Sequence, residues 1–173
     1  VYGFTGDKVE HIELRGIEFF ACTANFTKSR HITLDGCGFL YPYELHNMPD
    51  NPQVEEDQRP VHIHGENCLM RKSLVKYSPG RSIVLLGRGN RIENSIVTEG
   101  SRHGRHNDPN VTIRYDHRDF HYDGNDSGSK SKRSRWSYSS KEQNTVAHCT
   151  IFNCSGIGVY LLGQGPGTSE YNH

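Results

Sequence analysis

Apolar positions along this chain come in short alternating runs, not in helical stripes. His11-Ile-Glu-Leu-Arg-Gly-Ile-Glu-Phe-Phe20 and His31-Ile-Thr-Leu-Asp-Gly-Cys-Gly-Phe-Leu40 share one cadence. Asn67-Cys-Leu-Met-Arg-Lys-Ser-Leu-Val75, Asn90-Arg-Ile-Glu-Asn-Ser-Ile-Val97 and Asn144-Thr-Val-Ala-His-Cys-Thr-Ile-Phe-Asn153 repeat it. A second shape, a short strand stopped by glycine, recurs in Val61-His-Ile-His-Gly65, Ile83-Val-Leu-Leu-Gly87 and Val159-Tyr-Leu-Leu-Gly163. Side chains that alternate in and out over so few residues specify strands. One or two Gly, Asn or charged residues between strands leave no room for crossover helices, which excludes a doubly wound sheet. A repeat of about 20–23 residues is too short for a propeller blade. It suits a coil of three strands joined by bends, each coil stacked on the last at about 4.8 Å.

The pattern therefore predicts stacked parallel strands over 9–40, 60–99 and 144–163. Ile12, Leu14, Ile32, Leu34, Ile63, Leu85, Ile92, Val146 and Leu161 should point inward. Asn67, Asn90 and Asn144, at the heads of their segments, are expected to stack as a hydrogen-bonded ladder.

Composition agrees with an elongated object. Only 33% of the 173 residues are hydrophobic and the mean hydropathy is -0.75, low for a compact domain, whereas a solenoid coil needs few inward side chains. Twenty Lys and Arg balance 20 Asp and Glu, so no net field recruits nucleic acid or an anionic membrane. Apolar runs are too short for a membrane span. The five cysteines (Cys22, Cys37, Cys68, Cys149, Cys154) are odd in number and lack zinc spacing, which predicts free, mostly buried thiols. Neither Val1-Tyr2-Gly3-Phe4 nor Ser169-Glu170-Tyr171-Asn172-His173 has the look of a chain terminus. The sequence reads as an internal piece of a longer chain, whose remaining coils would be its neighbours.

The pattern Asn-x-Ile/Val/Leu-x-x-Ser/Cys/Gly-x-Ile/Phe resembles the repeat of right-handed parallel β-helix proteins of the pectate-lyase-like superfamily. The likeness covers about 9–42, 60–100 and 144–173, including Ser155-Gly-Ile-Gly-Val-Tyr-Leu-Leu-Gly163. It implies an all-β solenoid of about five to six coils forming one unit over 1–173. It also implies a carbohydrate-active, secreted or periplasmic protein with a polysaccharide or oligosaccharide as partner. Its repeat residues are structural and say little about activity.

Two segments leave the repeat. Residues 41–60 contain Pro42, Pro49 and Pro52, which forbid central ladder pairing. Residues 101–143 gather His103, His106, His117 and His121 with Asp108, Asp116, Asp119, Asp123 and Asp126. Long excursions of this kind are commonly functional or disordered. Lys130-Ser-Lys-Arg-Ser-Arg135 reads as a solvated loop tip, not a nucleic-acid patch. Asp123-Gly-Asn-Asp-Ser-Gly128 has some calcium-loop character but no closing Glu, so no cofactor is expected, calcium being the one candidate.

If Val61 and Ile63 face inward, His62 and His64 face outward, with Val84, Leu86, Tyr160 and Leu162 above them. A row of this kind is either covered or lines a groove. Glycoside hydrolysis needs two carboxylates, and lyase chemistry needs a base together with a means of neutralising a uronate. The candidate catalytic residues are Glu99, Asp116, Asp119 and His64, with Glu66 and Asp123 also near enough to consider. His62, Tyr160, His103 and Arg88 are the candidate substrate contacts. A glycoside hydrolase or polysaccharide lyase is the leading expectation. The alternatives are a non-catalytic carbohydrate-binding or adhesin-type solenoid and an epimerase or other sugar-modifying enzyme. A close titratable pair at the groove would favour an enzyme, and a wholly buried outward row would favour a structural role.

Overall fold

A computed structural model describes residues 2–42, 61–101, 109–114, 143–162 and 167–173. The first coil consists of β1 (Tyr2–Asp7), β2 (Glu13–Arg15) and β3 (Glu18–Phe20). The second is β4 (Thr23–Arg30), β5 (Thr33–Asp35) and β6 (Gly38–Leu40), and the third β7 (Val61–Glu66), β8 (Leu69–Arg71) and β9 (Leu74–Lys76). The fourth is β10 (Ile83–Arg88), β11 (Arg91–Glu93) and β12 (Ile96–Thr98), and the fifth β13 (Val111–Arg114), β14 (Asn144–Ala147) and β15 (Thr150–Phe152). A sixth coil contributes β16 (Val159–Leu162) and β17 (Gly167–Glu170).

Corresponding strands pair in parallel, giving three sheets in the orders β1-β4-β7-β10-β13-β16, β2-β5-β8-β11-β14-β17 and β3-β6-β9-β12-β15. The chain is the parallel β-helix that its alternation predicts. One departure lies inside the span expected as a single excursion. Val111–Arg114 returns there as β13, pairing in register with β10 and β16. Val111 and Ile113 bury into the core as the other first-sheet strands do. Their short in-out pattern is masked in the sequence by the polar residues on both sides.

The core is a set of columns running up the axis. Leu14, Leu34, Met70, Ile92 and Val146 stack in the second sheet, and Phe26, Ile63, Leu85 and Ile113 in the first. In the third, Phe19 and Phe39 stack with ring centroids 4.7 Å apart and planes 2° from parallel. Each such side chain contributes about 1.5–3 kcal/mol by leaving water. Eight of the nine residues expected inside are in the core or packed against it. Leu161 is the exception, at 45% exposure. It occupies the core column of β16, the outermost described strand of its sheet, so a neighbouring strand packs beneath it on one side only.

The asparagine ladder is real but shifted by one residue at its base. Asn90 and Asn144 stack, while the place below them is taken by Cys68, whose N–H donates to Asn90 Oδ1 at 2.9 Å. Asn67 is instead an exposed corner residue with φ of 54°. At the turn between the second and third sheets, Cys37, Ser73, Ser95 and Cys149 form a second inward column. The Cys37 N–H donates to Ser73 Oγ (3.1 Å) and the Ser73 N–H to Ser95 Oγ (3.2 Å). All five cysteines are free, and Cys37, Cys68 and Cys149 are buried. These three are small inward packing groups, as the sequence predicts.

Candidate functional site on the first sheet

The stretches that interrupt the repeat all adjoin first-sheet strands. The long separations run from Leu40 to Val61, between β6 and β7, from Thr98 to Val111, between β12 and β13, and from Arg114 to Asn144, between β13 and β14, each with a first-sheet strand at one end. The second and third sheets, in contrast, are joined within each coil by two-residue corners. Segments that vary around a fixed scaffold are where binding and catalytic residues concentrate. The first sheet is therefore the face to inspect.

Its outward side carries a row running Thr5, Asn25, His62, Val84, Thr112 and Tyr160. The centre of the row is withdrawn from solvent, with His62 at 6%, Val84 at 2% and Thr112 at 4%, whereas Tyr160 is 40% exposed. Val84 thus lies outside the core column yet is as buried as a core residue. In the next row, His64 is half-buried and Leu86 is buried.

His62 is fixed by a 2.6 Å hydrogen bond between its Nδ1 and Asn25 Oδ1. The His64 ring lies beside it, with centroids 6.2 Å apart. Opposite His64 the register between β4 and β7 breaks, because two residues, Thr27 and Lys28, face this single one between the Phe26–Ile63 and Ser29–Gly65 pairings. A bulge of this kind re-aims side chains locally and recurs next to functional sites. The Thr27 hydroxyl donates to Asp7 Oδ1 at 2.8 Å, which occupies that carboxylate.

The third outward position of β7 is Glu66, only 6% exposed. Arg88 Nη2 lies 3.0 Å from its Oε1 and Arg30 Nε 3.5 Å from its Oε2, and Arg30 also faces Glu10 at 3.6 Å. The result is an alternating charge ladder across four coils' worth of chain, in which a carboxylate nearly out of water is held by two guanidinium groups. Arg88, expected as a substrate contact, has its first commitment to Glu66. Arg30 keeps about half of its side chain open, at 51%.

Of the other expected residues, Glu99 does not join this row. It is the corner residue after β12, in a column with Ala21, Tyr41, Tyr77 and Asn153, and accepts from Asn153 Nδ2 at 3.2 Å. Its charge also helps to raise the pKa of Lys76, after the larger effect of the hydrogen bond from Lys76 to Tyr77. The reason is geometric: a corner residue with positive φ projects away from the flat of either sheet. Asp116, Asp119 and His103 lie outside the described residues, as do 123–128 and 130–135. Among the described residues, no group of three or more His, Cys, Asp or Glu is arranged to hold a metal. No described helix is long and apolar enough to cross a membrane.

Asn25 and Arg30 were invisible to the repeat pattern because β4 lacks the glycine stop of its neighbours. Aligning Ala24-Asn25-Phe26 with Val61-His62-Ile63 finds Asn25, since both triplets alternate in, out, in, but not Arg30, which lies beyond the bulge.

Fold and face together define a parallel β-helix with a histidine-centred polar patch on its first sheet. No protein-family model, curated protein or solved structure matches the chain.

Proposed function

We propose that this protein is a carbohydrate-active enzyme that works on a polysaccharide along the outer face of the first sheet, by elimination rather than hydrolysis. The observation that carries this reading is the pair His62 and His64 on one strand, the first locked by Asn25 and the second half-open beside a bulge. Imidazole exchanges protons near neutral pH. The carboxylates of the same patch, Asp7 and Glu66, are already engaged by Thr27 and by two arginines. That favours an imidazole as the base over a two-carboxylate glycosidase arrangement.

In such a reaction His64 takes the proton from the carbon next to a uronate carboxylate. The electron pair forms a carbon–carbon double bond, the glycosidic C–O bond breaks, and the departing oxygen acquires a proton. Arg30, half-exposed at the edge of the patch, suits the neutralisation of the uronate. Burial of His62, Val84 and Thr112 favours a second reading, a non-catalytic polysaccharide-binding solenoid that uses only the open end of the row around Tyr160.

The test is to incubate the full chain with a panel of uronic-acid and neutral polysaccharides, following unsaturated product by ultraviolet absorbance and reducing ends chemically. Unsaturated product from a uronic-acid polymer, reduced about 10²-fold or more in His64→Ala at unchanged melting temperature, supports elimination. Binding without turnover replaces it with the second reading. Reducing ends without unsaturated product point to hydrolysis and overturn the assignment of His64.

A further inference from the structure

Among the described residues, the Asn25 side chain meets a histidine nitrogen. Its carbonyl oxygen Oδ1 lies 2.6 Å from His62 Nδ1, across the β4–β7 pairing and 37 residues away in sequence. A carbonyl oxygen can only accept, so the imidazole must donate from Nδ1. In a neutral ring that leaves Nε2 without a proton, as an acceptor. The hydrogen bond to one ring nitrogen thus sets the chemistry of the other.

The surroundings make this fixing strong. His62 is 6% exposed, so water competes little for Nδ1. The register on both sides of the contact is set by main-chain pairing, Asn25 to His62 and Phe26 to Ile63, with Phe26 and Ile63 both fully buried. Asn25 therefore cannot drift from the ring without moving two core side chains. The bulge begins directly after this pair, so the in-register pairing of β4 breaks beside half-buried His64.

We propose that Asn25 is a positioning residue that holds His62 as the Nδ1–H tautomer, making Nε2 the proton-accepting atom of the ring beside His64. The tautomer assignment stands on geometry alone. Its consequence for turnover rests on the enzymatic reading above.

The experiment reads the two separately. Long-range nitrogen–proton correlation spectra of ¹⁵N-histidine-labelled full chain distinguish the two neutral tautomers, and His62→Gln identifies the His62 signals. The wild type should show His62 with its proton on Nδ1. Asn25→Leu, which removes the acceptor, should move His62 to the Nε2–H form or to a mixture. Asn25→Asp should restore the Nδ1–H form and raise the His62 pKa by about one pH unit or more, as an anion beside a cationic imidazole does. A wild-type His62 protonated on Nε2, or an unchanged tautomer in Asn25→Leu, overturns the proposal. If Asn25→Leu fails to fold, Asn25→Asp decides: a His62 pKa that does not rise overturns it. On any polysaccharide the wild type cleaves, Asn25→Leu should lower kcat roughly tenfold or more with KM unchanged, and Asn25→Asp should shift the pH–rate profile. If the wild type cleaves none, the enzymatic reading fails while the tautomer result stands.

Discussion

The main-chain N–H of Asn90 donates to the side-chain carbonyl of Asn144 at 2.9 Å, although the two residues are 54 apart in sequence. Asn90 in turn accepts from the Cys68 N–H and donates from Nδ2 to the carbonyls of Gly65 and Leu86, both at 2.9 Å. Three buried coils are thereby tied at one corner by two amides. Asn90→Ala should leave one buried donor and two buried acceptors unmet, lowering stability by about 2–4 kcal/mol. Asn67→Gly, at the exposed corner, should change it by less than about 1 kcal/mol. Urea unfolding followed by circular dichroism measures both, and equal losses would mean the ladder is not what holds this corner.

Corners in this solenoid use residues with side chains in the left-handed region. Ala21 has φ of 54° and is exposed, with no side-chain contact to lose beyond its methyl. Ala21→Gly should raise stability by about 0.5–1 kcal/mol, the relief of strain exceeding the extra entropy lost by glycine. The reverse change at Gly87 should do harm. Its φ is 105°, and a Cβ there would sit 2.1 Å from the Gly65 carbonyl oxygen. Gly87→Ala should lower the melting temperature sharply, and a wild-type melting curve for it would contradict the close approach of β7 and β10.

On the outer face of the second sheet, Arg71 Nη2 donates to Asp35 Oδ2 at 2.9 Å, with Arg15 Nε 3.9 Å away. The Arg71 hydrogen bond, against the opposing effect of burial, holds the Asp35 carboxyl below the ordinary carboxylate range. A carboxyl with a depressed folded-state pKa adds stability that is complete above the unfolded value of about 3.9 and is lost as pH falls through the folded value. Asp35→Asn should therefore melt earlier than wild type at neutral pH, with the gap closing as pH drops below about 4. A gap independent of pH would assign the loss to packing instead.

Thiol chemistry provides a direct check on the inward columns. Burial pushes the Cys68 thiol up to about 11. Titration with a thiol reagent should count five groups after denaturation, while in the native protein at mildly alkaline pH Cys37, Cys68 and Cys149 stay protected. Fast modification of Cys68 in the native state would show that its corner opens.

Much of the fold could be read in advance because a strand that buries alternate residues must repeat its apolar positions, and Leu14, Leu34, Ile92 and Val146 do so openly. The exceptions share a cause. Asn67 looked like the equivalent of Asn90, but the true register pairs Leu69 with Arg91, so one residue of slip moved the ladder to Cys68. The left-handed corners at Lys72, Tyr77 and His148 carry no glycine signal, since cross-coil hydrogen bonds such as Lys72 N–H to Glu93 O impose the conformation. For the patch, His62, His64 and Tyr160 were legible through alternation. Asn25 was not, because its importance arises from a neighbour 37 residues away. Glu99 stands at a corner outside the row, a place that adjacency to an excursion does not specify.

The two-residue corners between the second and third sheets recur in every coil that has both strands, while each long separation between strands has a first-sheet strand at one end. Lengthening or exchanging such a segment leaves the spacing of the other two walls untouched. Length changes in those segments alone could therefore accumulate in descendants of this chain while the stack of short corners is conserved.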